Sequence, residues 1–377
     1  MRIAIAGCGF VSDYYLKTLP LHPDLTLVGC LDQNPQRSQR LSKNQGIREY
    51  GTLEEMLADP QVDIVLNLTN PRAHYGLTRA ALEAGKHVYS EKPLAMEISQ
   101  AKELVSLANQ KGLQIASAPC SCLSETAQTL WKALRKEVVG KVRLVYAEMD
   151  DGLVHKMPYD QWVSSEGIAW PFQDEFEVGC TLEHAGYYLT WLTMFFGPAT
   201  TVTAFSSCLI PAADKRSDVT LNPPDAPDFS VACIKFASGV VARLTCSIVA
   251  PHDHSLRIIG DDGIMGIKDC WYYGDPVYTQ RMIKIRRKVL MSPLKRNYPL
   301  VRKAPKLSYR GAQQMDFCRG VAEMAAAIRE GRPNRLGSDF SLHNNELAIA
   351  IQQALETGAP YLLTTSFAAV EPMPWAV

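Results

Sequence analysis

The apolar run Arg2-Ile3-Ala4-Ile5-Ala6 ends directly in Gly7-Cys8-Gly9, and this junction constrains the fold more than any other stretch of the chain. A tight glycine turn between a buried strand and a helix lets the backbone approach a pyrophosphate, and the N–H groups that open the helix point at its charge. Ser12 stands where a third glycine or alanine would pack helix against strand, so the turn by itself also fits a plain βα connection. A second strand-like run, residues 25–31, ends at Asp32. An acid about 20 residues past such glycines accepts hydrogen bonds from an adenosine ribose. Its negative charge repels a 2′-phosphate, which predicts NAD in preference to NADP. Gln33 and Asn34 follow it rather than an arginine, and Arg37 keeps NADP open.

With 377 residues the chain is too long for one ordinary core. The grammar of the sequence divides it at about residue 120, into a nucleotide-binding domain (1–120) and a second domain (121–377). The first part alternates apolar strands, at 2–6, 25–31, 64–68, 87–90 and 113–118, with helical stretches such as 72–84 and 99–110. Alternation of this kind predicts a doubly wound parallel sheet covered on both faces, with ligands outside the carboxyl ends of the strands. Gly9, Asp32, Thr69 and Glu91 all fall at those ends. Beyond residue 118 a helix at 125–137 leads into period-two runs at 142–148, 200–207, 230–236, 240–247 and 256–259, with Ala237-Ser238-Gly239 as a hairpin turn. This predicts an α+β domain with a large, mostly antiparallel open sheet. Residues 211–227 read as a long loop, and 315–330 and 342–356 as helices.

No apolar run approaches membrane-span length, and a strand that starts at Arg2 leaves no room for a secretory leader. The ten cysteines form no paired zinc-ligand pattern and suit a reducing compartment, so a cytoplasmic location is expected. Charges balance at 39 against 39, which gives no reason to expect a nucleic-acid partner. That balance hides an asymmetry. Between Asp275 and Asp316 there are eleven basic residues and no acidic one. The segment reads as a solvated surface, as a cover for an anionic substrate through Arg286 and Arg287, or as a contact for an acidic face of a neighbouring subunit.

Glu91-Lys92-Pro93 follows the 87–90 strand, where a lysine ammonium can hydrogen-bond a substrate hydroxyl and lower the cost of removing its proton. The glycine turn, Asp32, Thr69-Asn70-Pro71 with His74 after it, Ala84-Gly85-Lys86-His87-Val88 and Glu91-Lys92-Pro93 together resemble the glucose-fructose oxidoreductase/inositol dehydrogenase family, often called Gfo/Idh/MocA. The resemblance implies a Rossmann domain, an α/β domain with an open sheet through which subunits commonly pair, and NAD(P)-dependent redox chemistry on a sugar or cyclitol. It also implies that Gly7, Gly9, Phe10 and Val11 line the pyrophosphate and that Asp32, with Gln33 beside it, meets the ribose. Thr69, Asn70, His74, Glu91 and Lys92 would serve the nicotinamide half.

The chain departs from the family in its second half. The usual pattern there is an aspartate, one residue, glycine, one residue, a histidine acting as acid/base, and an aspartate three residues on. Anchored on Gly186, His184 replaces the first aspartate, Tyr188 the histidine and Trp191 the last aspartate. On a helix 184 and 188 share a face, so both can point into one cleft. A tyrosine beside a lysine is a workable proton acceptor, because the ammonium favours phenolate. This predicts Lys92, Tyr188 and His184 as catalytic, with Tyr188 as acid/base; if it is not, His184 is the next candidate. Tyr187, Tyr188 and Trp191 fit a buried aromatic helix equally well. Trp170 and Tyr187 are candidate substrate contacts, since flat rings suit a sugar. His252-Asp253-His254 offers two histidines and no third ligand, and no metal is expected.

The sequence thus predicts a homo-oligomeric, NAD-dependent oxidoreductase acting on a carbohydrate, phosphorylated or nucleotide-linked among them. An NAD-retaining glycosidase or epimerase, or a non-catalytic dinucleotide sensor, would share most of these features.

Overall fold

The computed structural model of the protein describes residues 1–215, 220–307, 314–355 and 357–377. Arg310, Glu356 and residues 216–219 of the expected 211–227 loop lie outside the described residues. The chain divides into two compact units, each assembled from three separate stretches. Unit 1 comprises Met1–Cys120, Pro158–Glu175 and Asp316–Glu346, and unit 2 comprises Ser121–Met157, Phe176–Met315 and Leu347–Val377.

Unit 1 holds a six-stranded parallel sheet of β1 (Arg2–Ala6), β2 (Thr26–Leu31), β3 (Arg48–Glu49), β4 (Ile64–Asn67), β5 (His87–Ser90) and β6 (Ile115–Ser117), in the order β3-β2-β1-β4-β5-β6. That order is the doubly wound dinucleotide-binding topology. The connecting helices are α1 (Ser12–Thr18), α2 (Pro35–Gln45), α3 (Leu53–Ala58), α4 (His74–Glu83) and α5 (Ile98–Gln110). The α2 start follows from Asn34, whose side chain caps Gln36 N–H, and its end from left-handed Gly46. Helix α4 begins later than the expected 72–84 stretch because Pro71–Ala73 forms a 3₁₀ turn. Central strands β1, β4 and β5 are buried almost throughout, as a sheet covered on both faces requires.

Register matters for function. Ala6 pairs with both Leu31 and Asn67, and Asn67 pairs with Ser90. The four strands therefore stop level with one another, and Gly7, Asp32, Leu68-Thr69 and Glu91 emerge side by side at one edge.

The later helices are α6 (Glu125–Arg135), α7 (Phe172–Val178), α8 (Gly186–Phe196), α9 (Ala212–Lys215), α10 (Arg319–Glu330) and α11 (Ser338–Gln352). Unit 2 holds a ten-stranded sheet of β7 (Val142–Asp150), β8 (Ala199–Ser207), β9 (Phe229–Phe236), β10 (Val241–Ser247), β11 (Leu256–Gly260), β12 (Gly263–Ile267), β13 (Val277–Ile285), β14 (Lys288–Met291), β15 (Arg296–Tyr298) and β16 (Pro360–Leu362). Their order is β14-β13-β12-β11-β7-β10-β9-β8-β16, with β15 also on β13. All pairings in this sheet are antiparallel except β7 with β10. Alternation along β7 buries Val145, Ala147 and Met149 and turns Leu144, Tyr146 and Glu148 to the other face.

Within the acid-free segment, three strands, β13, β14 and β15, occupy most of residues 277–298. In the 211–227 stretch, α9 is anchored by a buried pair between Lys215 and Asp228, 3.2 Å apart. The same carboxylate accepts from Leu209 N–H and Ile210 N–H.

Candidate functional site

The glycine turn is built on a backbone that only glycine tolerates. Gly7 has φ +95°, and a Cβ there would stand 2.6 Å from the Leu68 carbonyl oxygen. Gly7 N–H donates to Leu31 O at 2.8 Å, which ties the turn to the end of β2. A Cβ at Gly9 would meet nothing within 4 Å, so the space beside it is open. Ser12, in place of the third small residue, folds its hydroxyl back onto Gly9 O at 2.6 Å. Phe10 leans edge-on against Tyr14, and Val11 precedes α1.

Asp32 is fixed from two sides. One carboxylate oxygen accepts Cys8 N–H and the other accepts Asn34 N–H, each at 2.7 Å. The charge is thus held rigidly next to the turn, while Gln33 is exposed. Beyond β4, Thr69 donates its hydroxyl to Asn67 at 2.6 Å, and Asn70 is exposed. His74 is fully buried, with one ring nitrogen 2.8 Å from Thr69 O and the other 2.7 Å from Pro93 O. It braces the loop after β4 against the turn after β5. Glu91 is buried too: it accepts the Tyr15 hydroxyl at 2.7 Å and Lys92 N–H at 3.1 Å. Lys92, half-buried, is the next residue out from this anchored carboxylate.

Trp170 also belongs to unit 1. It lies 5.0 Å from Trp162 and 6.2 Å from Tyr159, ring centre to ring centre, with Trp170 N–H on Trp162 O. Ser165 in the same excursion bonds Asp13 through both its N–H and its hydroxyl.

In unit 2 a second group of polar side chains gathers where β7 and β10 end and β11 begins. Residues Thr181–Ala185 form a π-helical turn ahead of α8. Its entry explains it. Gly179, at φ +96°, lets the Gln352 amide approach within 2.8 Å of where a Cβ would be. That amide donates to Val178 O at 2.6 Å and accepts Leu182 N–H at 3.2 Å, replacing bonds that a regular helix would make internally. Such π turns recur at functional sites. His184, in this turn, points Nδ1 at Asp151 at 3.5 Å. The other Asp151 oxygen faces Nε2 of buried His254 at 3.5 Å, and His254 Nδ1 faces Asp269 at 3.4 Å. His252 stands 3.9 Å from the second Asp269 oxygen. Two carboxylates thus alternate with three imidazoles. Burial alone would pull the His254 pKa down, but the two aspartates outweigh it and the net shift is upward. The indole of Trp271 packs edge-on against both His254, at 4.4 Å, and Tyr187, at 5.4 Å.

The sequence offered no third donor beside His252 and His254; the fold supplies one. Donor atoms of Asp151, His252 and His254 lie within 4.8 Å of one another, as do those of His254, Asp269 and Cys270. That spacing suits a divalent ion as well as it suits the imidazole–carboxylate pairs just described.

Tyr188 does not join this group through its hydroxyl. It is completely buried, and its O–H donates to the backbone carbonyl of His254. Burial pushes the phenol well above its ordinary range, with Cys270 and Asp269 adding to the shift. Trp191, equally buried, donates its indole N–H to Ser121 at 2.9 Å. Arg286 and Arg287 lie elsewhere. His254 and Asp269 sit at the Ile267 end of β12, whereas Gly263, its other end, pairs with Arg281, and β13 runs on from there to the Arg286-Arg287 turn. Eleven residues of extended chain separate Asp269 from that turn along this path, on the order of 30 Å. Asp151 and Asp269 were missed from the sequence, and His254 was weighed only beside His252, because Asp151, His254 and Asp269 come together through β7/β11/β12 pairing.

With this geometry in place, comparison with known proteins decides the relationship. The model of an oxidoreductase family with an NAD-binding Rossmann fold matches residues 1–118, and that of the GFO/IDH/MocA C-terminal domain matches residues 127–265. The chain belongs to the Gfo/Idh/MocA family. It is 24% identical over 275 residues to trans-1,2-dihydrobenzene-1,2-diol dehydrogenase of Bos taurus, covering 72% of this chain and 75% of that one. A dehydrogenase from Bordetella pertussis, solved with NADH and UDP-GlcNAcA, shares the fold at TM-score 0.73 and 18% identity, covering 97% of this chain and 98% of that one. A 3-ketoreductase from Actinomadura kijaniata, solved with NADP, does so at TM-score 0.70 and 18% identity, covering 94% and 98%. As a member of this family the protein is an NAD(P)-binding oxidoreductase. No helix among the described residues is long and apolar enough to cross a membrane.

Proposed function

We propose that this oxidoreductase prefers NAD and works on a ring carbinol of a sugar, cyclitol or nucleotide-linked sugar, with His184 as the proton acceptor. The observation that carries the reading is the His184–Asp151 pair in the π turn. Gly7, Gly9, Phe10, Val11, Asp32, Thr69 and Asn70 would hold the dinucleotide, and the open space at Gly9 beside the fixed Asp32 carboxylate fits such a group. A nicotinamide dinucleotide held by these residues would supply the hydride acceptor for oxidation of the carbinol.

The chain's own part is proton handling and orientation. As the hydride leaves, the hydroxyl proton passes to His184 Nε2. Asp151, facing Nδ1, orients the ring and stabilises the imidazolium that forms. The reverse direction returns that proton to the carbonyl oxygen. Lys92, one residue beyond buried Glu91 at the dinucleotide-binding edge, stays a catalytic candidate for its positive charge. Tyr188 serves as packing and as a tie to His254, since a phenol in its surroundings would be a poor base. Tyr187 and Trp271 offer ring faces to the sugar. His74 acts through the loops that it braces. Pairing of subunits through the outer face of the open sheet, at Leu144 and Phe205, accords with the exposure of those side chains.

The test is a panel of sugars, cyclitols and nucleotide sugars, each scored for release of reduced nicotinamide. On a confirmed substrate, His184→Asn should lower kcat by about 100-fold or more, the scale of a lost general base, with NAD affinity unchanged. Tyr188→Phe retaining most of the turnover would support this assignment. Loss of turnover in Tyr188→Phe with an unaltered melting temperature, and not in His184→Asn, would return the role to the tyrosine. Substrate conversion with no net release of NADH would point to a cofactor-retaining glycosidase or epimerase.

A further inference from the structure

The β13–β14 hairpin carries a surface apart from the His184–Asp151 group. β12 supports β13 as far as the Gly263–Arg281 pair and the Met282 N–H bond to Asp262 O at 2.9 Å; beyond it, among the described residues, 283–290 form a two-stranded ribbon whose strand pairing is with itself. Met282 faces Met291, Ile283 faces Leu290, Lys284 faces Val289 and Ile285 faces Lys288. Strand alternation therefore puts Ile283, Ile285 and Leu290 on one face of the ribbon and Met282, Met291 and Val289 on the other. Ile285 is 54% exposed and Val289 63%, and Leu294 just beyond is also exposed. Around these stand Arg281, Lys284, Arg286, Arg287, Lys288, Lys295 and Arg296, all exposed. No acidic residue occurs from 276 to 315, whereas the rest of the chain carries an excess of eleven acids.

We propose that this ribbon docks the protein on an anionic lipid surface. A protein partner would cover one apolar face and disfavour lysine at the centre of contact. Here both faces are apolar and the bases are interleaved with them. Immersion to about 5–10 Å, the depth of the headgroup–acyl boundary, takes up two or three residues of strand. That is the span from the Ile283–Leu290 pair to the Arg286-Arg287 turn. At this depth the apolar side chains of both faces leave water, and the long basic stems carry their charges back to the phosphates. The acidic remainder of the chain is repelled by the same surface, which confines the contact to the ribbon.

Sedimentation of the full-length protein with vesicles tests this. Vesicles of equal parts phosphatidylglycerol and phosphatidylcholine should retain the protein, pure phosphatidylcholine should not, and high salt should release it. Arg286→Gln/Arg287→Gln/Lys288→Gln should weaken retention by about 100-fold, given what each base contributes at such a surface. Ile285→Ser/Val289→Ser/Leu290→Ser should weaken it too, at an unchanged melting temperature because these side chains are exposed. Equal retention of parent and both triple variants would overturn the proposal, as would indifference to lipid charge. If parent protein ignores both vesicles while the same substitutions split an oligomer in sedimentation velocity, the ribbon is a subunit arm and the proposal fails.

Discussion

Gly7 and Gly9 stand two residues apart in one turn, yet their environments assign them different tasks. At Gly7 a side chain would collide with the backbone at Leu68 and demand a backbone conformation that L-residues avoid, so Gly7→Ala should destabilise the protein by upward of about 2 kcal/mol. At Gly9 nothing in the chain would be touched, so Gly9→Ala should keep the melting temperature and lose cofactor affinity, because only the dinucleotide needs that space. Calorimetric unfolding and isothermal titration with NAD separate the two outcomes. Asp32 can be dissected the same way. It holds Cys8 N–H and Asn34 N–H, so Asp32→Ala should weaken both cofactors by loosening the turn. Asp32→Asn keeps an acceptor and drops the charge, and should specifically narrow the NAD preference; a parent protein that binds NADP more tightly would refute the preference itself. These residues were legible in the sequence because the turn chemistry is local. Tyr188 was not. Helical spacing puts 184 and 188 on one face only if the turn between them is regular, and the π turn through Ala185 breaks that phase.

At the scale of elements, five of the six strands of the first sheet could be read to within about two residues, because each is a short apolar run, whereas the edge strand β3, only Arg48-Glu49, carries no apolar pattern and was not foreseen. The second sheet was read as separate strands, but its parallel β7/β10 pair and the joining of Asp151 to His254 arise from pairings between distant segments, which no local pattern encodes. Residues 278–291 of the basic stretch form strands although their bases and apolar residues alternate with no single buried face, because their backbone bonds are met by β12 and by their own turn. Within the first sheet, β5 and β6 are joined by a titratable link. His87 Nδ1 accepts Gln114 N–H at 2.9 Å, and burial lowers the imidazole pKa, with Asp63 opposing only in part. The fold therefore favours the neutral ring. Its contribution is complete above the unfolded value near 6.5 and is lost as pH falls through the lowered folded value. His87→Gln, which has no proton to take up, should show a smaller fall in melting temperature between about pH 7.5 and about pH 5 than the parent.

Across the whole molecule, the nucleotide-binding unit is not a continuous segment, although its motifs all precede Cys120. Distant stretches of chain complete it. Asn345 uses its amide to satisfy both the N–H and the carbonyl of buried Ala95, and Ser341 accepts Ser117 N–H at 2.9 Å beside β6. Cys318 N–H caps Thr18 at 3.1 Å at the end of α1, and Asp316 pairs with His22 at 2.9 Å. Leu342 is part of the core formed with Val88, Leu104 and Ile115. A fragment that stops at Cys120 keeps every cofactor residue of the glycine turn but loses all of these partners. It would leave Ala95 and Ser117 without these partners and bare the apolar core that Leu342 helps to cover, a loss of about 1.5–3 kcal/mol for each large apolar side chain removed. Several such losses equal the whole stability of a domain this size. The fragment 1–120 should therefore fail to unfold cooperatively in calorimetry and should not bind NAD. Rejoining residues 158–175 and 316–346 through flexible linkers should restore a single transition and NAD binding. A fragment 1–120 that melted sharply and bound the cofactor by itself would show that the first stretch alone suffices, and that the later ones merely lie against it.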